Sequence, residues 1–169
     1  MALIGFMGTG KSSVGRLVAE YLRFAFYDTD EWIEAYSGKS IDTLFTEQGE
    51  AAFRQLEQQV VLEFATLKGA VISTGGGVGA NEANLASLKQ HALVVCLWAS
   101  PSVIWSRVQT QTHRPLLQTE NPQEKIRELL AAREPFYRQA DILVNTEVRS
   151  AKEVAQHVGY EFHLATHPR

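Results

Sequence analysis

Only one cysteine, Cys96, occurs in the 169 residues, so no internal disulfide can form. It stands in the apolar run Leu93-Val94-Val95-Cys96-Leu97-Trp98, where a thiol is expected to be buried and inert. No apolar run approaches the ~20 residues that cross a bilayer. No signal or transit peptide precedes the first strand, and the expected compartment is a reducing cytoplasm. An excess of basic charge is also lacking: 16 Lys and Arg face 19 Asp and Glu, for a net charge of −3. That balance provides no broad positive field to gather nucleic acid or anionic lipid, so neither is an expected partner. A small acidic ligand would have to be met by local arginines. Internal repeats, charge blocks and linker-like stretches are absent too, which gives one domain over residues 1–169.

What is present is an ordinary globular composition, 45% hydrophobic and 21% charged. Short apolar runs alternate with helical spacings. Strands are expected at 2–4, 24–27, 70–72, 93–98 and 142–144. Helices are expected at 12–23, 31–36, 41–46, 50–67, 84–90, 101–108, 122–139 and 151–158, the one at Pro101 capped by Ser100. Continuous apolar strands between helices predict an α/β fold of three layers, α/β/α, around a parallel sheet joined by right-handed crossovers. In such sheets ligands bind beyond the carboxyl ends of the strands, and the motifs below follow strands.

Gly5-Phe6-Met7-Gly8-Thr9-Gly10-Lys11-Ser12 satisfies G-x-x-x-x-G-K-[ST] between a strand and a helix. Glycines let backbone N–H groups turn inward around phosphate oxygens, and the helix N-terminus adds partial positive charge. The blander alternative is a chance glycine-rich turn. On the functional reading Gly8, Thr9, Gly10, Lys11, Ser12 and Ser13 hold the phosphates of a nucleoside triphosphate. Lys11, expected on a solvent-facing loop, reaches the β- and γ-phosphates, and the Ser12 hydroxyl ligates Mg²⁺.

Asp28 and Asp30 close the second strand. They could be a helix cap and a solvated charge, but beside a phosphate loop carboxylates also suit Mg²⁺. Arg54 and Glu57 stand three apart on a helix, spaced to pair, either as an exposed ion pair or near the buried edge that Phe53 marks. Gly75-Gly76-Gly77 ends a strand. A tight turn needs fewer glycines, so close backbone approach to a ligand is the favoured reading. The polar stretch 109–123 has the length of a lid or a disordered segment, and Arg114 within it could close over phosphates. His113 has no identifiable partner and no assigned role.

Taken in order, G-x-M-G-x-G-K-S, Asp28-Thr29-Asp30, Phe53-Arg54-x-x-Glu57, Ser73-x-Gly-Gly-Gly, Arg114-Pro115-Leu116-Leu117 and Arg133-x-x-x-Tyr137 resemble the motifs of shikimate kinases over nearly the whole chain. The resemblance implies a nucleoside-monophosphate-kinase-like P-loop fold with a five-stranded parallel sheet and a mobile lid. It implies transfer of the ATP γ-phosphoryl group to the 3-hydroxyl of shikimate, with Mg²⁺; separately, a monomer is expected. Lys11, Asp30 and Arg114 would be catalytic, Asp30 on the accepting hydroxyl and Arg114 from the lid. Arg54 and Arg133 would hold the substrate carboxylate, Glu57 would brace Arg54, and Gly75, Gly76 and Gly77 would line the ring. Asp28 would hold Mg²⁺ with Ser12. Arg107 would lie against adenine, with Arg149 a looser match. One departure is that the first strand begins almost at Met1. The tail 159–169 resembles nothing specific and is expected to fray. Gluconate and nucleoside-monophosphate kinases are the enzyme rivals. The rival of another class is a nucleotide-responsive module without catalysis, which would be expected to lack Lys11, Asp30 or a lid arginine.

Overall fold

A computed structural model describes residues 1–111 and 115–167. Five strands, β1 (Ala2–Ile4), β2 (Ala25–Asp28), β3 (Ala70–Ser73), β4 (Val94–Trp98) and β5 (Ile142–Asn145), form one sheet in the order β2-β3-β1-β4-β5. Every pairing is parallel. Seven α-helices connect or follow the strands among the described residues: α1 (Lys11–Leu22), α2 (Thr29–Ser37), α3 (Ile41–Phe64), α4 (Glu82–His91), α5 (Pro101–Val108), α6 (Pro122–Tyr137) and α7 (Ala151–Thr166).

The strands alternate their side chains between two buried faces. Ala2, Ile4, Val94 and Cys96 pack with residues of α4, α5 and α6, whereas Leu3, Val95 and Leu97 pack with α1 and α7. Burial on both faces is what the continuous apolar runs encode, and it makes the three layers. A third cluster joins Ile33 of α2 to Leu44, Phe53, Val60 and Phe64 of α3. Cys96 is fully buried, and burial pushes its thiol pKa up to about 12. No helix among the described residues is long and apolar enough to cross a membrane.

Most expected boundaries move by only a few residues. Helix α3 runs through the two helices expected at 41–46 and 50–67, with a break at Gly49 (φ 80°, ψ 172°) that keeps them distinct. Ser100 occupies the cap position of α5, but its side chain makes no capping bond and lies 3.1 Å from the Ser102 hydroxyl. The tail expected to fray is instead helical to Thr166. Gly159 passes close to the Tyr21 ring, and Phe162 meets Phe24 edge-on at 5.6 Å, so packing against α1 carries the helix past the glycine.

Candidate active site

The carboxyl ends of β1, β2 and β3 converge where the motifs predicted. Gly10, in the left-handed region at φ 93°, caps α1, and Lys11 is the first helical residue. Lys11 is buried, unlike the solvent-facing lysine expected, because its ammonium folds back and donates to the Phe6 carbonyl at 2.9 Å. Thr9 is buried as well, and its hydroxyl donates to the same carbonyl at 2.8 Å. It braces the loop from within, while Gly8, Gly10, Lys11, Ser12 and Ser13 line a cavity of about 420 Å³. Arg107 lines that cavity too. Its guanidinium donates to Gly8 O (3.2 Å), Thr146 Oγ1 (3.0 Å) and Thr146 O (2.6 Å), tying the loop to the end of β5. Arg149 is exposed in the turn before α7 and does not line the cavity.

Asp28 and Asp30 turn different ways, as the end of a strand allows. Asp28 Oδ2 accepts from the Ser12 hydroxyl at 2.7 Å, and its Oδ1 accepts from the Asp30 amide at 3.0 Å, capping α2. The cap and the loop-facing carboxylate are therefore one residue, Asp28, and Asp30 lies inside the first turn. Ser73 Oγ stands 3.3 Å from Ser12 Oγ. These clustered hydroxyl and carboxylate oxygens beside the loop are hard donors of the kind Mg²⁺ takes.

A larger cavity, about 790 Å³, adjoins the first. Met7, Asp30, Glu31, Gly76 and Gln111 line both, so Asp30 stands in the shared wall. The larger one also takes Arg54, Glu57, Gly77 and Arg133. Arg54 Nη1 donates to Glu57 Oε2 at 2.6 Å and Nη2 to Glu50 Oε1 at 2.8 Å. Glu57 is 1% exposed, so this is no surface ion pair, and its Oε1 has no hydrogen-bond partner among the described residues. Burial raises the Glu57 carboxyl above its ordinary value, against the opposing pull of Arg54. Burial likewise pulls the Arg54 guanidinium down, but the charges and hydrogen bonds of Glu57 and Glu50 outweigh it. Gly77 lets the guanidinium approach: a Cβ there would lie 2.0 Å from Arg54 Nη1, so the arginine would have to move. Arg133, on α6, donates to Gly76 O at 3.0 Å and lies over the Phe6 ring.

Asp30, Arg54, Glu57, Gly76, Gly77 and Arg133 thus meet around one cavity, with Gly75 directly behind Asp30 and Glu57. Arg114 and His113 lie outside the described residues, while Gln111 and Leu116, flanking them, line the larger cavity. Sequence reasoning passed over Glu50, although its i,i+4 spacing to Arg54 was a signal. It also assigned nothing to Thr29, Ser73 or Tyr137 inside their motifs.

The family model for shikimate kinase matches residues 7–162. A shikimate kinase of Thermodesulfovibrio yellowstonii is 46% identical over 162 residues, covering 96% of this chain and 94% of its own. The structure of shikimate kinase from Acinetobacter baumannii in complex with shikimate superposes with a TM-score of 0.94 at 37% identity, covering 99% of this chain and 94% of that one. A gluconokinase from Sinorhizobium meliloti superposes at a TM-score of 0.56 and 18% identity, covering 98% of this chain and 96% of that one, a likeness of fold alone. On the family match and the identity over nearly its full length, the chain belongs to the shikimate kinase family.

Proposed function

We propose that this chain, an ATP-dependent kinase by family, phosphorylates the 3-hydroxyl of shikimate and works as a single domain with a lid in 109–123. The observation that carries this reading is the shared wall: Asp30 lines both the phosphate-loop cavity and the cavity that holds Arg54 and Arg133. A hydroxyl presented from the second cavity would meet a phosphoryl group presented from the first.

Phosphoryl transfer asks for alignment and charge neutralisation more than covalent work. Lys11 would meet charge on the β- and γ-phosphates, joined by Arg114 from the lid. Asp30 would orient the accepting hydroxyl and take its proton. Two planar guanidiniums, Arg54 and Arg133, would grip the carboxylate and set which hydroxyl faces the loop, with Glu57 fixing the Arg54 fork. Arg107 would face the adenine while anchoring Gly8. Ser12 and Asp28 would hold Mg²⁺, which when bound offsets phosphate charge. The reading includes a cytoplasmic compartment, where ATP is at hand, and a monomer, because one chain supplies the described walls of both cavities.

Gluconate also carries a carboxylate, so the arginines alone do not select the acceptor. Coupled ADP release with shikimate against gluconate, with Mg²⁺ present and then chelated, tests the reading. Fast Mg²⁺-dependent turnover with shikimate supports it, and preference for gluconate sinks it.

A further inference from the structure

The run Gly75-Gly76-Gly77 has no side chains to anchor it, yet functional groups press on it. A Cβ on Gly75 would stand 2.5 Å from Asp30 Oδ1 and 2.9 Å from Glu57 Oε1, and one on Gly77 would overlap the Arg54 guanidinium. The run therefore lies against the groups assigned to the accepting hydroxyl and to the carboxylate with no room for a side chain between, and Gly76 O accepts directly from Arg133, so its placement bears on theirs. Glycine is the residue least able to fix that placement by itself.

Two side chains outside the assigned set hold it. The Gly75 amide donates to Thr29 Oγ1 at 2.7 Å. Thr29 is fully buried and sits between Asp28 and Asp30, so one turn of chain fixes the loop-side carboxylate, the glycine run and the acceptor-side carboxylate together. From α6, Tyr137 Oη donates to Gly76 O at 2.7 Å. Arg133, one helical turn earlier, donates to the same oxygen through Nη1. A carbonyl has two lone pairs, so both donors can be served at once. Burial pushes the Tyr137 hydroxyl pKa up to about 12, against the pull of Arg133, so it stays a donor at working pH.

We propose that Thr29 and Tyr137 are positioning residues that clamp the glycine run from opposite sides and thereby fix Asp30, Arg54 and Arg133 around the acceptor. This rests on the proposed function for the identity of the acceptor. With the Tyr137 hydroxyl in place, Gly76 O is served by two donors, and Arg133 is left with its remaining N–H groups for the substrate. Without it, the carbonyl has the arginine alone and draws the guanidinium toward the loop.

The test compares Tyr137→Phe, Thr29→Val and Thr29→Ser with the unmodified chain in steady-state kinetics, varying acceptor and ATP separately. Turnover of shikimate by the unmodified chain is the separate check on the proposed function. The clamp is read from ratios to that chain, with whichever acceptor it turns over. Loss of one neutral hydrogen bond should raise the acceptor KM about 3- to 10-fold in Tyr137→Phe and Thr29→Val. KM for ATP should rise less than the acceptor KM, because the bonds lost lie on the glycine run. Thr29→Val should also lower kcat, because Asp30 abuts Gly75. Thr29→Ser, which keeps the oxygen, should restore both values. An unchanged acceptor KM, or equal rises for acceptor and ATP, overturns the clamp. Failure of serine to rescue overturns the part of Thr29. Should Thr29→Val melt below the assay temperature, Tyr137→Phe, which keeps the packed ring, carries the test.

Discussion

The two cavities that share Asp30 are built in opposite ways. The phosphate side is built around one unbroken stretch of chain, Gly5 to Ser13, whose loop is held by its own Phe6 carbonyl and by Arg107, with Asp28 and Thr74 adding to the wall. The residues assigned to the acceptor come from separate segments: Asp30 on α2, Arg54 and Glu57 on α3, the glycine run after β3, and Arg133 on α6. A local device has its geometry written in adjacent residues, and a gathered one depends on the packing of every helix that contributes. Losses on the phosphate side should therefore appear in kcat with the fold intact, and losses on the acceptor side should mix KM with stability.

The strongest challenge to that contrast is Lys11→Ala. Removing one preorganised charge from the transferring group should lower kcat about 100- to 1000-fold. Melting should change less than kcat, since the bond from the ammonium to Phe6 O lies within the loop itself. A large fall in melting temperature with a small fall in kcat would make Lys11 a structural brace.

Next come Arg54→Ala and Arg133→Ala. Each should weaken shikimate binding ~10- to 150-fold, the worth of a charge-assisted hydrogen bond, with ATP hardly affected and lysine rescuing only in part. The structure separates them further. Arg54→Ala strips the 2.6 Å partner from a carboxylate that is 1% exposed, so its melting temperature should fall more than that of Arg133→Ala. Equal losses of stability would deny the buried pair its role.

Glu57 sharpens the same point through pH. Its carboxyl titrates above the ordinary 4.5, so the folded chain holds that proton more tightly than the unfolded one. The resulting stability is present below pH 4.5 and is lost as pH rises through the raised value. Glu57→Gln stays neutral throughout, so the melting difference should move in its favour as pH rises from 4.5. A difference that does not change with pH would place the titration elsewhere.

The smallest effect is expected at Arg149, exposed and away from the cavity lining. Arg149→Ala should change KM for ATP by less than about twofold, as for other surface substitutions. A tenfold rise would show that the turn before α7 folds onto the nucleotide.

The same contrast explains what the sequence disclosed. The phosphate loop could be read from spacing because its function is its local backbone. The parallel sheet was legible because strands buried on both faces appear as continuous apolar runs. The burial of Glu57 was not, because nothing near it in sequence says that α3 turns this residue beneath the glycine run. Glu50 offered only a spacing common on exposed helices, and Thr29 was overshadowed by the two aspartates beside it. Helix α7 was cut short at Gly159, where local propensity signals a stop and contact with Tyr21 overrides it.

Cys96 gives the chain a practical property. Burial pushes its thiol pKa up to about 12, so it stays protonated at neutral pH, and the sulfur is out of reach of solvent. Maleimide and iodoacetamide reagents should pass the native chain by. A cysteine introduced at Gln109, which is exposed at the start of the 109–123 segment, would then be the one reactive sulfur. A dye attached there would test whether the environment of Gln109 changes as ATP is added, as the proposed lid requires, with the native thiol left in place.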